Sequence, residues 1–223
     1  MTEEIEFLKN VPLFSGLSQK EINTIGNIAH KKVFHKNNII LQKGDEGEAL
    51  YIILSGRIKV TLVSEAGKEI ILAILKGGDF FGEMSLLDNE PRSANVVAVE
   101  DTIILTIYRN DFNYLTKNNP SISLNLLNHL SLRLRHANKK IGSLALLDVC
   151  GRIANLFLDM AKEEGKGILL MERLTHSEIA NMIGSKREVV SRALKCLKEG
   201  GYIKVIGNKI ILDKNLKLKI DEF

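Results

Sequence analysis

The sequence contains no tryptophan, only three prolines and only two cysteines in 223 residues. Cys150 and Cys196 stand alone, with no CxxC partner. That pattern argues against a disulfide scaffold, an iron–sulfur cluster or a structural zinc site. It suits a reducing cytoplasm, and no metal ligand set or covalently held cofactor is expected. No apolar run approaches the ~20 residues that a membrane span requires, so no membrane partner is expected. The opening stretch, MTEEIEFLKN, is acidic and amphipathic, unlike a secretory signal. No nucleophile–base set, Walker loop or internal repeat is present, so the chain does not read as an enzyme.

What is present is globular in character: 45% hydrophobic and 26% charged residues, in a chain long enough for one large domain or two ordinary ones. The net charge of +4 says little about partners. Its distribution says more. Ten Lys or Arg lie between Lys186 and Lys219 against three acids, Glu188, Glu199 and Asp213. A basic end of this kind fits a nucleic-acid face, and a solvated surface is the alternative.

The stretch from Ser121 to Leu147 organises the chain. Apolar residues fall at Leu127, Leu130, Leu134, Ala137, Ile141 and Leu144, spaced alternately by three and four. This is the seam of a two-stranded coiled coil. Arg133, Arg135, Lys139 and Lys140 leave only a narrow apolar stripe beside it. A homodimer seam is therefore expected, with a core helix of a lone subunit as the alternative. The expected divisions are a sensor over residues 1–117, this helix over 118–147 and a reader over 148–223.

Before the long helix the chain reads as strands. Residues 3–10 and 18–30 suggest short helices, the second capped by Ser18 with Glu21 three positions on. From Lys31 onwards, short β-branched runs are punctuated by Asn37-Asn38, Gly44-Asp45, Ser55-Gly56, Ala66-Gly67 and Gly77-Gly78. Turns at such intervals predict an antiparallel sandwich or barrel. One segment within it, GDFFGEMSLLDNEPRSAN (78–95), does not alternate. Gly82 there can adopt backbone conformations closed to other residues. A helical turn from Glu83, followed by Arg92 and Ser93, offers donors to an anion, with Arg92 matched to a phosphate. Glu83 suits a sugar hydroxyl. A hairpin held by a Glu–Arg salt bridge is the competing reading.

The run Gly82-Glu83-Met84-Ser85-Leu86-Leu87, followed by Pro91-Arg92-Ser93-Ala94, resembles the phosphate-binding cassette of cyclic-nucleotide-binding domains. Pro12-Leu13-Phe14-Ser15-Gly16-Leu17 and the segment Leu147–Ala154 extend the likeness over nearly the whole chain. The sequence is similar to the Crp/Fnr family of bacterial transcription regulators, on its catabolite-activator branch. The resemblance implies an α+β architecture: an N-terminal jelly roll, a long dimerisation helix and a C-terminal winged helix-turn-helix. It implies that Gly82, Glu83, Met84, Ser85, Arg92 and Ser93 line a cyclic-nucleotide pocket. In that pocket Arg92 and Ser93 take the cyclic phosphate, and Glu83 takes the ribose 2′-hydroxyl. The family's Thr-Ser pair facing the purine corresponds here to Ala137-Asn138, of which only Asn138 carries polar groups. The effector is therefore open between cyclic AMP, another cyclic nucleotide and none. The missing N-terminal cysteine cluster sets the chain apart from the iron–sulfur branch.

The last third carries the reader. Asp148 is a good cap for a helix over 149–164, ended by Gly165-Lys166-Gly167, and marks a hinge. Thr175-His176-Ser177-Glu178 is a capping box, Gly184 ends the helix it opens, and Ser185-Lys186-Arg187-Glu188 reads as a second box. Two capped helices around a tight turn make a helix-turn-helix. Strands over 203–206 and 209–212, joined by a turn at Gly207-Asn208, add a winged hairpin. Val189, Ala193, Leu194 and Leu197 are expected to pack inward. Arg187, Glu188, Ser191 and Arg192 then face out, where Arg can pair with guanine and Glu with cytosine. Thr175, His176, Ser177 and Lys186 suit phosphate contacts. The expected partners are palindromic double-stranded DNA, a second copy of the chain and RNA polymerase. The alternative is a cyclic-nucleotide-binding regulatory protein with no DNA role. Operator sequence, and activation as against repression, are not legible.

Overall fold

A computed structural model describes residues 2–164, 168–213 and 216. The chain forms two compact units that divide between Arg133 and Leu134. In the first, helix α1 (Thr2–Leu8), a 3-10 turn (Pro12–Phe14) and helix α2 (Gln19–Ile28) precede the strands. The Ser18 capping box forms: the Ser18 amide donates to Glu21 at 2.7 Å, and the Glu21 amide donates back to the Ser18 hydroxyl. Then come β1 (His30–Phe34), β2 (Ile39–Leu41), β3 (Ala49–Ser55), β4 (Arg57–Val63), β5 (Glu69–Lys76) and β6 (Phe80–Phe81). A single helical turn, α3 (Met84–Asp88), leads to β7 (Asn95–Ala98), β8 (Thr102–Tyr108), α4 (Arg109–Asn118) and the long helix α5 (Pro120–Leu146).

The strands pair antiparallel into two four-stranded sheets, ordered β1-β8-β3-β6 and β2-β7-β4-β5. Ile53, Phe81 and Ile104 of the first sheet meet Ile58 and Val96 of the second in one core. The outer face of the first sheet is also covered. Leu50, Ile52, Leu105 and Ile107 pack against Leu8, Phe14, Ile22 and Ile25 from the N-terminal helices, and against Phe112 and Leu115 of α4. A strand buried on both faces loses the apolar–polar alternation of a half-exposed one. That is why β3 and β8 read as continuous apolar runs.

Helix α5 has 27 residues, about 40 Å at 1.5 Å per residue. Ile122 and Leu126 are buried in the N-terminal core, and Leu130 packs partly against it. Leu127, Leu134 and Ile141 are each more than 60% exposed, Ala137 is exposed, and Leu144 is half-buried. The start of the helix thus belongs to the core of the subunit, whereas Leu134, Ala137 and Ile141 of the stripe are exposed among the described residues.

The second unit contains the rest of α5, then α6 (Val149–Met160), β9 (Lys162–Glu164), β10 (Ile168–Glu172), α7 (His176–Ile183), α8 (Arg187–Glu199), β11 (Ile203–Ile206) and β12 (Lys209–Leu212). Asp148 caps α6 by accepting from the Gly151 amide at 2.8 Å. The expected helix over 149–164 is too long. It stops at Met160 because Lys162–Glu164 pair antiparallel with Ile168–Leu170; Gly165-Lys166-Gly167 lie outside the described residues. The sheet order β11-β12-β10-β9 places the wing hairpin beside that added pair. Ile153, Ala154, Phe157, Ile179, Ile183, Val190, Ala193 and Leu197 form the core beneath it.

Candidate functional site

Two sites are built from these elements. In the first, Gly82 sits between β6 and α3 with φ of +83°. A Cβ there would lie 2.9 Å from Arg92 Nη1 and 3.0 Å from the Ala49 carbonyl, so a glycine is needed for backbone and space alike. Gly47 is needed for space alone, since its Cβ would fall 2.1 Å from that of Ser85. The backbone of Arg92 is held by two hydrogen bonds with the Gly44–Asp45 turn, at 2.9 and 2.8 Å.

Glu83 and Arg92 are brought together in the interior, 1% and 4% exposed. They do not pair with each other. Arg92 donates to the carbonyls of Gly82 (2.7 Å) and Ala49 (2.9 Å), and its guanidinium lies over the Tyr51 ring. Glu83 accepts from Arg133 of α5 at 2.6 Å. Arg133 also donates to the Phe80 carbonyl and covers the Phe80 ring. The competing salt bridge expected between Glu83 and Arg92 is thus replaced by one from another element. One carboxylate oxygen of Glu83 and the Nε of Arg92 are buried without a hydrogen-bond partner. Such atoms are costly unless a further group reaches them. Ser85 is buried, Met84 is exposed, and the exposed Ser93 hydroxyl points to the Met84 sulfur at 3.8 Å. Asn138 is exposed on α5 and falls in the second unit.

His129, one turn before Arg133, packs tilted against Phe80 with ring centroids 4.3 Å apart. Burial and then the Arg133 charge push its pKa below the ordinary imidazole value, against an opposing pull from Glu83 and Asp79. Arg109 of α4 braces the cassette from below. Its guanidinium donates to the carbonyls of Gly47 and Ser85 and to the Asn89 side chain at 2.8 Å.

The second site is the outer surface of α7 and α8. Thr175 caps α7, with its amide donating to Glu178 at 2.7 Å and its hydroxyl accepting from the Glu178 amide. Gly184 ends α7 in the left-handed conformation. The second capping box does not form. The Ser185 amide donates back to Ala180 at 2.9 Å, closing α7, and Lys186 becomes the extended residue before α8 with no side-chain cap. Of the expected inward residues, Ala193 and Leu197 are buried and Leu194 packs partly against the core, whereas Val190 and not Val189 fills the first position. Both valines satisfy a three-to-four spacing, so periodicity alone did not separate them.

Lys186, Arg187, Glu188, Ser191 and Arg192 are all exposed. Arg187 joins Thr175, His176 and Ser177 around a cleft of about 650 Å³ that Arg173 and Asn208 complete. His176, Arg187, Glu188, Ser191 and Arg192 line an adjoining hollow of about 460 Å³. Among the described residues, the side chains of Arg173, Arg187 and Arg192 have no ion-pair or hydrogen-bond partner. A row of unpaired cations beside a helix N-terminus suits a polyanion.

Residues 31–119 match the family described as the cyclic nucleotide-binding domain, and residues 151–218 match the Crp-like helix-turn-helix domain. A cyclic AMP receptor protein from Thermus thermophilus is 36% identical over 198 residues, covering 89% of this chain and 90% of that protein. The chain belongs to the Crp/Fnr family of transcription regulators. A second Crp relative, the cAMP-activated global transcriptional regulator of Salmonella typhimurium, is 34% identical over 191 residues, covering 82% of this chain and 89% of that one. The solved catabolite activator protein of T. thermophilus superposes with a TM-score of 0.56 at 32% identity, covering 95% of this chain and 98% of that one. The first matched domain holds Gly82, Glu83, Arg92 and Arg109, with His129 and Arg133 beyond its end, and the second holds the outer surface of α7 and α8.

Sequence reasoning missed four participants. Arg133 was read as a flank of the seam, and only the fold shows that it reaches Glu83. Arg109 binds carbonyls, which leave no trace in a sequence. Asn208 was read only as a turn residue. Arg173, lying just before the Thr175 capping box, offered the one usable signal: a cation next to a helix start.

Proposed function

We propose that the protein is a homodimeric, sequence-specific DNA-binding regulator gated by a cyclic nucleotide, with cyclic AMP as the first candidate. The observation that carries this reading is the buried pair Glu83 and Arg92, each with an unsatisfied polar atom, at the position of the family's cassette. A cyclic phosphate takes Arg92 and Ser93 in exchange for the carbonyls of Gly82 and Ala49. The ribose 2′-hydroxyl donates to Glu83. Gly82, Met84 and Ser85 line the same pocket, and Asn138 offers a donor and an acceptor to the base. The names of the cAMP-activated relatives support that choice of nucleotide.

Two copies pair through Leu127, Leu134, Ala137 and Ile141, with Leu130 and Leu144 at the edge of the seam. The expected divisions at 117 and 147 separate a sensor, a connecting rod and a reader. Two recognition helices then lie about 34 Å apart over a palindrome. Arg187, Glu188, Ser191 and Arg192 read bases, while Thr175, His176, Ser177 and Lys186 hold phosphates. Ligand at Glu83 changes the Arg133 contact and biases the long helix. Reorientation at Leu147–Asp148 must exchange the bonds that Arg152 gives to the Leu144 and Leu147 carbonyls. By linkage, ligand and DNA strengthen each other's binding by the same factor. The protein acts in the cytoplasm, with RNA polymerase as a further partner and without catalysing a reaction.

Isothermal titration of the full chain with cyclic AMP, cyclic GMP and cyclic dinucleotides tests the ligand. Saturable binding of one, absent in Arg92→Ala, is expected. No binding by any of them overturns the gating. Selection of bound duplexes from a random pool, followed by sedimentation of Leu134→Lys, tests the rest. Loss of the dimer together with roughly 100-fold weaker palindrome binding is expected. A variant that stays dimeric refutes the seam.

A further inference from the structure

Between α8 and the wing the reader holds a hollow whose walls differ from those of the cationic clefts. Ser191, Leu194, Lys195 and Lys198 lie three and four positions apart, so they form one side of α8. Ile203 and Val205 are two apart on β11 and share a face of the hairpin, and Ile210 pairs with Val205 across it. These two surfaces, together with Leu174 and with Ile179 of α7, line a groove of about 290 Å³. Ile179, Ile203 and Ile210 are buried and belong to the core of this unit. Leu174, Leu194 and Val205 are only half-buried, so apolar atoms here still meet water. The floor is aliphatic throughout, and no aromatic ring is among the described lining residues.

The rim has the opposite character. Arg173, Lys195 and Lys198 line the groove and are exposed, and no Asp or Glu is among the described lining residues. The Arg173 amide donates to the Asn208 carbonyl at 2.9 Å, which fixes this cation beside the wing turn. Lys195 meets Glu199 at 3.7 Å, an exposed pair that solvent screens. An aliphatic floor under a cationic rim complements a molecule with an apolar tail and an anionic head. Purines and other planar ligands gain from stacking on rings, which these walls do not offer. A polynucleotide can meet the rim but has no aliphatic chain for the floor. Ligand pockets begin near ~300 Å³, so the groove suits a tail of modest length.

We infer that this groove binds a medium-chain acyl carboxylate, its chain laid on Leu174, Leu194 and Val205 and its carboxylate held by Arg173, Lys195 and Lys198. Covering half-buried aliphatic carbons removes them from water, and charge-assisted contacts at the rim fix the orientation. Arg173 and His176 also border the cleft of about 650 Å³, and His176 and Ser191 border the hollow of about 460 Å³. The seated carboxylate therefore draws on positive charge that the proposed DNA contacts use. Acyl carboxylate and DNA then weaken each other's binding by the same factor. That opposition rests on the DNA-reading function proposed above, whereas occupation of the groove does not.

Titrating octanoate into the full chain, with Ile, Leu and Val methyl groups labelled for magnetic resonance, tests the occupant. Saturable shifts at the methyls of Leu174, Leu194, Val205 and Ile210 are expected, with Ile53 and Ile58 of the sensor core unmoved. Equal shifts from acetate would reduce the groove to an ion site, and equal shifts from octyl glucoside would leave the rim without a role; either overturns the inference. Shifts confined to the exposed Leu127, Leu134 and Ile141, or tighter binding of cyclic AMP at the same methyls, would overturn it as well. Lys198→Gln, a change at an exposed position, should melt as the native chain does and bind octanoate roughly tenfold more weakly. Unchanged affinity refutes the rim. Val205→Thr should also weaken octanoate, and if that variant fails to fold, Lys198→Gln still decides. Duplex DNA binding is then measured at constant ionic strength with and without octanoate. Weaker binding is expected in the native chain, with a smaller effect in Lys198→Gln. A filled groove with DNA affinity unchanged overturns the opposition. A filled groove in a chain that binds no DNA at all leaves the acyl site standing and refutes the reader.

Discussion

The cassette and the reading face use the same residue types in opposite ways. In the cassette, Glu83, Arg92, Arg109 and Arg133 are turned inward onto carbonyls and one another. On the reader, Arg173, Arg187 and Arg192 project into solvent without a partner among the described residues. A closed polar cluster responds to a small ligand because the ligand must replace contacts already made, which alters the elements that supplied them. An open row of cations needs no such exchange. It meets a large polyanion by releasing counterions, with little rearrangement. Under the proposed gating, coupling to the long helix lies in the sensor, and access lies in the reader.

This contrast is sharpest at Arg133. Replacing it by alanine leaves Glu83 buried without its cation, and the sensor unit should lose about 3 kcal/mol or somewhat less, since Arg133 is partly exposed. Glu83→Gln should cost clearly less and should rescue part of the Arg133→Ala loss in the double variant. Chemical denaturation of the four proteins measures this; additive losses would mean that the pair is not coupled.

A step below lies Arg92→Ala, which strands the Gly82 and Ala49 carbonyls. Beyond its effect on nucleotide binding, it should lower sensor stability by about 1–3 kcal/mol. The reader supplies the counterpart. Arg187→Ala and Arg192→Ala should change stability by less than about 0.5 kcal/mol, while weakening DNA by about 1–3 kcal/mol and relaxing base preference. Paired melting and binding measurements break the comparison if the reader arginines prove as costly to the fold as Arg92. A uniform loss over all DNA sequences would reassign them to phosphate contacts.

The smallest expected effect is a pH slope. His129 binds its proton less tightly in the folded sensor than in the unfolded chain, where it titrates near its ordinary pKa of 6.5. The unfolded state then binds more protons, so sensor stability should fall as pH drops below 6.5 and stay level above it. His129→Gln should flatten the acid side of the curve in melts between pH 5 and 8. An unchanged slope would place the titrating group elsewhere.

Local signals were legible in the sequence wherever a single element decides its own geometry. The capping oxygens of Ser18, Asp148 and Thr175, the wing turn at Gly207-Asn208 and the strand runs act over a few residues, and each is found in place. The register of α8 was harder, because Val189 and Val190 fit the same period and only packing against α6 and the wing selects one. The end of α6 was misjudged for a related reason. Lys162–Glu164 is polar and could extend a helix, and the strand partner that claims it lies across a turn.

By itself, then, the sequence determined the family, the order of its two matched domains and the caps at Ser18, Asp148 and Thr175. Each of these follows from side-chain chemistry acting over short spacings. Tertiary structure alone decided that Arg133 and not Arg92 neutralises Glu83, and that Arg109 braces the cassette. Those contacts join residues dozens of positions apart, and their energies depend on which groups share a buried space from which water is excluded.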